Sequence, residues 1–117
     1  RVRHIDTPHV PHGWDAGVLY EETTRTLFVG DLFTHIGSVP PVTTDDIVEP
    51  AMEAEAMFRS TSLSPDTVVA MDRLAALEPT TLALMHGASF QGDGGAQLQR
   101  LASAYDERYF AANAGMR

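Results

Sequence analysis

The chain has 117 residues and a mass of 12.7 kDa, short of a typical ~150-residue domain, so it holds one domain at most. Eight Lys and Arg against 16 Asp and Glu leave a net charge of −8, which argues against a surface built to track nucleic-acid phosphates. Cysteine is absent, which excludes disulfides, thiolate-held zinc and thiol catalysis. An apolar content of 44% is too high for a disordered chain, and no stretch approaches the ~18 unbroken apolar residues of a membrane helix. Neither nucleic acid nor a membrane is therefore an expected partner.

Val2 and Ile5 among polar residues make Arg1–Asp6 a short and ambiguous strand run. Ala16–Glu21 and Thr26–Gly30, rich in aliphatic and aromatic residues, read as strands. The polar tetrad Glu22-Thr23-Thr24-Arg25 between them has hairpin length, so the two runs pair antiparallel, and Gly30-Asp31 closes the second. Residues 37–50 read as a loop with two adjacent prolines. A helix follows, with Thr44 or Asp45 as N-cap and Pro50 in its opening turns. Ile47, Ala51, Ala54 and Phe58 recur at helical spacing as its apolar stripe, and Glu49, Glu53 and Glu55 form a solvated face.

Ser64-Pro65-Asp66 starts a second helix that runs to about Leu77 with Ala70, Leu74 and Leu77 inward, and Pro79 stops it. Thr81–Met85 reads as a short buried strand ending at His86-Gly87. Gln91-Gly92-Asp93-Gly94-Gly95 is a glycine-rich lead into the last helix, about 95–112, and it lacks the Lys-Ser/Thr of a phosphate loop. Leu98, Leu101, Tyr105 and Tyr109 share one side of that helix, and Met52, Met57, Met71 and Met85 read as core filler.

Three strands, two helices, a strand and a helix make an α/β layering. Helices can cover one face of so small a sheet, and the other face must also be buried. A domain of this size buries only ~60–70% of its unfolded surface even when complete. The expectation is a missing partner for that face, from the same chain or from a second copy in a homodimer. The chain opens on Arg1 with no charged-then-apolar leader behind it, so the expectation is a front that was cut or processed. With no cysteine and no leader, a cytoplasmic location is expected.

The five histidines cluster. His4, His9 and His12 crowd the start, His35 follows Asp31 by four residues, and His86 ends a strand. Asp31 and His86 each close an apolar run beside a glycine, and strand ends are where α/β folds gather functional groups. A lone imidazole at a strand edge is more often a solvated side chain. Two imidazoles and a carboxylate converging from separate loops, with no thiol, suit Zn²⁺, Fe or Mn²⁺.

The stretch Thr7-Pro8-His9-Val10-Pro11-His12-Gly13-Trp14-Asp15-Ala16-Gly17 resembles the third metal motif of the metallo-β-lactamase fold superfamily. Leu27-Phe28-Val29-Gly30-Asp31-Leu32-Phe33 resembles its fourth, and Leu84-Met85-His86-Gly87 its fifth, in the same order and with similar separations. The resemblance spans nearly the whole chain as the C-terminal half of that αββα sandwich: one mixed or antiparallel sheet with helices on one face. It implies that His12 is a ligand of a first metal, that Asp31 bridges two metals, and that His86 ligates the second. The family's His-x-His-x-Asp-His motif is not found in these residues, and the resemblance puts it upstream of Arg1.

What the resemblance implies for the complete protein is a binuclear centre of two divalent metals, zinc first and iron or manganese as alternatives. Its metal-bound hydroxide would attack an ester, thioester, lactone, amide or phosphoester. Three ligands split over two ions hold metal poorly, so these residues alone are expected to be hydrolytically inactive. Asp15 is a candidate catalytic residue that orients His12 through its free ring nitrogen, or a plain turn residue. His9, His35 and Trp14 are candidates for positions around the ligands, with His9 read first as an exposed loop residue. Relatives of the flavodiiron type carry a histidine near the position of His35, which keeps an iron-dependent, oxygen-handling oxidoreductase as the alternative. A third reading is a non-catalytic, self-associating module with vestigial ligands.

Overall fold

Val2–Asp6 (β1), Gly17–Glu21 (β2) and Thr26–Phe28 (β3) form an antiparallel meander in the computed structural model. The structure describes residues 1–7, 17–37, 39–58 and 65–113, without the side chains of 58, 65, 66 and 109–113. The β2–β3 turn is clamped by Glu21. Its carboxylate accepts hydrogen bonds from the backbone amides of Thr23 and Thr24, at 2.9 and 2.8 Å, and from the Thr24 hydroxyl. The hydroxyl, followed by the two amides, favours the ionised form and lowers the Glu21 pKa from 4.5 to about 2.

A depressed carboxyl pKa contributes stability that is complete above the unfolded value and is lost as pH falls through the folded one. The stability gap between the wild type and Glu21→Gln is therefore expected to be constant above pH 4.5 and to close between there and about pH 2. Urea unfolding midpoints of the two proteins at pH 6 and pH 2.5 test this; a gap unchanged across that range would refute it.

Beyond the meander, β3 pairs in parallel with Thr81–Ala83 (β5), reached through Val42–Thr43 (β4) and two helices, Val48–Phe58 (α1) and Pro65–Ala75 (α2). Ser89–Gln91 (β6) pairs antiparallel with β5 and parallel with β4, and Gly94–Asn113 (α3) follows. Among the described residues the sheet order is β1-β2-β3-β5-β6-β4. Its α/β class is the expected one, with two strands more than expected. Both β4 and β6 are two or three residues long and exist through their pairing with each other and with β5. The strand expected over Thr81–Met85 stops at Ala83, because the chain bends at 85–87 to start β6.

Alternate residues of the strands face the helices. Val18, Tyr20, Leu27, Leu82 and Phe90 join Met71, Leu74, Leu98 and Leu101 in one buried cluster, and the Tyr20 hydroxyl donates to the Leu77 carbonyl at 3.2 Å. The helix α1 is capped by Asp46, not by Thr44 or Asp45. Its carboxylate accepts from the amides of Val48 (3.3 Å) and Glu49 (3.1 Å), while the Asp45 amide is taken by the Thr43 hydroxyl in the turn after β4. Burial raises the Asp46 pKa, but the Glu49 and Val48 amides and the charge of Arg100 outweigh it and leave it below the usual carboxylate value.

Glu55 departs from the expected solvated face and is buried, whereas Glu49 and Glu53 are exposed. Met71 fills the core as expected and Met52 packs against it, but Met57 and Met85 are exposed. The side chains of Phe58 and Tyr109, and the expected cap Ser64, lie outside the described residues. No helix among the described residues is long and apolar enough to cross a membrane.

The opposite face of the sheet carries exposed apolar side chains. Leu19 and Phe28 are register partners on β2 and β3, and Phe28 is 47% exposed; Val42 and Met85 are exposed beyond them. An apolar groove of about 440 Å³ runs between Leu19, Phe28 and Ala83 up to Gly30 and Met85.

Candidate functional site

The parallel pairing of β3 with β5 decides where Asp31 and His86 meet. Phe28 is the partner of Ala83, and the ladder continues past both strands through Val29 N–H to the Ala83 carbonyl (3.1 Å) and Met85 N–H to the Gly30 carbonyl (3.3 Å). Three residues further on, position 31 stands beside position 86. Both lie at the C-terminal ends of parallel neighbours, where the backbone turns away and side chains can converge. Gly30 makes that departure at φ 58, a left-handed conformation open to glycine.

His86 Nε2 lies 3.5 Å from Asp31 Oδ1, with the side chains 60% and 37% exposed. The turn under Asp31 is closed by Thr34, whose hydroxyl and amide both donate to the Asp31 carbonyl, at 2.6 and 3.3 Å. Sequence reasoning misses Thr34. Its signal is a hydroxyl three residues after an aspartate, a common local turn device. Phe33, fully buried in the same turn, adopts φ 63, an unusual conformation for a residue with a side chain.

The structure places His35 differently from Asp31 and His86. It is 5% exposed, with Nδ1 2.9 Å from the Phe33 carbonyl oxygen and Nε2 accepting the Ala88 amide at 2.9 Å. An amide can only donate, so Nε2 is the unprotonated nitrogen and Nδ1–H donates to Phe33. No ring lone pair remains for an ion.

His9, His12, Trp14 and Asp15 lie outside the described residues. Of the predicted metal ligands, Asp31 and His86 are brought together; among the described residues no group of three or more His, Asp or Glu forms a metal cluster. His4, on β1, faces Asp6 at 3.4 Å and belongs to the far edge of the sheet.

No family model matches the chain, and no curated protein matches it. Solved structures do. The apo state of the chemotaxis sensor ODP from T. denticola is 19% identical, with a TM-score of 0.69 over 86% of this chain and 43% of its own. A peroxy diiron species of chemotaxis sensor ODP is 20% identical, with a TM-score of 0.67 over 89% of this chain and 44% of its own. A metallo-β-lactamase family protein from Thermus thermophilus is 23% identical, with a TM-score of 0.57 over 97% of this chain and 33% of its own. The chain thus has a metallo-β-lactamase-like fold and spans less than half the length of each of these structures.

Proposed function

We propose that Asp31 and His86, with His12, contribute to a binuclear metal centre, and that the complete protein uses it for metal-assisted hydrolysis of a small-molecule ester, thioester, lactone, amide or phosphoester. The observation that carries this reading is the 3.5 Å approach of His86 Nε2 to Asp31 Oδ1 at the ends of two parallel strands. The pair fits a divalent ion: two ligand atoms each ~2.1 Å from a tetrahedral ion stand about 3.4 Å apart. An imidazole with a carboxylate suits Zn²⁺, and Fe or Mn²⁺ as well. When bound, such an ion supplies Lewis acidity and lowers the pKa of a coordinated water toward ~7.

The chain's own residues hold that site in place. In this reading Asp31 would offer its carboxylate to the metal centre and His86 one imidazole nitrogen. The Thr34 hydroxyl fixes the turn from which Asp31 projects. On this reading the chain is the C-terminal half of the sandwich, and the remaining ligands come from a segment outside these residues, which also covers the exposed Leu19–Phe28 face. The similar structures support the fold, and each is more than twice as long as the part that this chain covers.

Titration of the full-length protein with Co²⁺, followed by its visible absorption, tests the proposal. Asp31→Ala and His86→Ala should each weaken uptake about tenfold or more; His86 is exposed and Asp31 half-buried, so neither loss of uptake should be matched by a loss of the fold. Unchanged affinity in both variants would overturn the assignment.

A second reading is a diiron centre that handles oxygen. The two sensor structures, one of them described as a peroxy diiron species, superpose more closely than the Thermus protein and favour it. Iron in the natively purified full-length protein, with absorbance that changes under oxygen, selects this reading; zinc selects hydrolysis.

A further inference from the structure

We propose that His35 is a positioning residue: it ties the loop after β3 to the loop after β5 and thereby holds His86 against Asp31. The inference rests on the reading of Asp31 and His86 as ligands, and it concerns what keeps them in reach of each other.

The two loops are exposed at their tips, and each bears one of the two side chains. Between them sits one buried group. The His35 ring bonds its own loop through Nδ1–H to the Phe33 carbonyl and the other loop through Nε2, which accepts the Ala88 amide. Its backbone amide adds a third bond, to the His86 carbonyl at 3.0 Å. The His86 segment is thus gripped on both sides, at its own carbonyl and two residues on at the Ala88 amide. Between those two points lies Gly87. A Cβ there would stand 2.4 Å from His35 Cε1, so the ring occupies the space that a side chain at 87 would need. Imidazole is unusual in meeting all these demands: a donor and an acceptor on opposite sides of a flat ring, thin enough to lie against a glycine backbone.

The ring's two polar functions can be separated by substitution. Asparagine can keep a donor near Nδ1 but has nothing at Nε2; glutamine can place an acceptor near Nε2 but loses the donor toward Phe33. The cross-loop bond is the one that positions His86. His35→Gln should therefore behave like the wild type, and His35→Asn should not.

In metal-free protein, exchange of the Ala88 amide with solvent should rise tenfold or more in His35→Asn and stay near the wild-type rate in His35→Gln. The change in the His86 ring resonances caused by Asp31→Asn should persist in the glutamine background and vanish in the asparagine background. Co²⁺ affinity should fall ten- to a hundredfold in His35→Asn and stay within about threefold in His35→Gln. A folded His35→Asn protein with wild-type Ala88 protection and an intact Asp31–His86 coupling would overturn the proposal. So would a folded His35→Gln protein that has lost that coupling, which keeps the test decisive if the asparagine variant does not fold. The metal-free readouts judge the positioning role by themselves. Failure of the full-length wild type to take up Co²⁺ through Asp31 counts instead against the metal-site reading.

Discussion

Gly87→Ala is expected to be among the most damaging single substitutions in this chain, lowering stability by about 3 kcal/mol. Two separate effects act together. At φ 134 the backbone is in a region that L-residues rarely adopt, so any side chain is strained there even in open space. The space is not open: the new Cβ would meet three His35 ring atoms at 2.4, 2.6 and 2.7 Å. The ring cannot swing aside without giving up its bonds to Phe33 and Ala88, which leaves buried polar atoms without partners. Urea unfolding gives the loss directly. A double-mutant cycle with His35→Ala separates the two effects: the clash disappears in that background and the φ strain remains, so Gly87→Ala should cost less there. A fully additive cycle would mean that the ring does not resist the new side chain.

Leu82→Ala should cost about 2–5 kcal/mol, a large share of the ~5–15 kcal/mol that holds a domain of ordinary stability. Leu82 lies on β5, flanked by β3 and β6, and is fully buried against the helices, with Cδ2 3.1 Å from where a Cβ on Gly94 would stand. Removing its three terminal carbons leaves a void that a strand paired on both sides cannot close by moving. Leu19 supplies the internal comparison: it is the same residue type in the same sheet, but on the exposed face. Leu19→Ala should change stability by no more than about 0.5 kcal/mol. Thermal or urea unfolding of the two variants checks the pair. Equal losses would show that the Leu19 face is also buried in solution.

The parts of this architecture that can be read from sequence are those with enough residues to set a period. The β2–β3 hairpin shows itself through Val18, Tyr20 and Leu27 against the polar turn 22–25, and α3 through Leu98, Leu101 and Tyr105. Strands β4 and β6 escape such reading because two or three residues cannot display an alternation; β4 depends on a pairing partner nearly fifty residues away, and β6 on that same pairing together with β5. Asp46 does not stand out as the cap of α1 because its neighbours Thr44 and Asp45 are equally good cap residues. The choice falls to Arg100, far along the chain on α3, whose guanidinium contacts the Asp46 carboxylate at 2.6 Å. Glu55 is hidden for a similar reason: its helical position is polar by type, and only tertiary packing buries it.

At the site, Gly30-Asp31 and His86-Gly87 are legible because a glycine beside a chemically active residue at the end of an apolar run is a local signal. Their approach is not, since it follows from a parallel pairing that joins Thr26–Phe28 to Thr81–Ala83. The saturation of the His35 ring is likewise invisible without Ala88 beside it.

Parallel neighbours cannot be joined by a tight turn, and the crossover between β3 and β5 takes in β4, α1 and α2. Closing a chain of roughly fifty-five residues costs about 3.5 kcal/mol of configurational entropy beyond a fixed term. In the unfolded ensemble the Asp31 carboxylate and the His86 imidazole are therefore strangers, too rarely adjacent to chelate anything. An ion held by both groups, as proposed, would bind the folded chain and not the unfolded one, and by mass action it would stabilise the fold more as its free concentration rises above its dissociation constant.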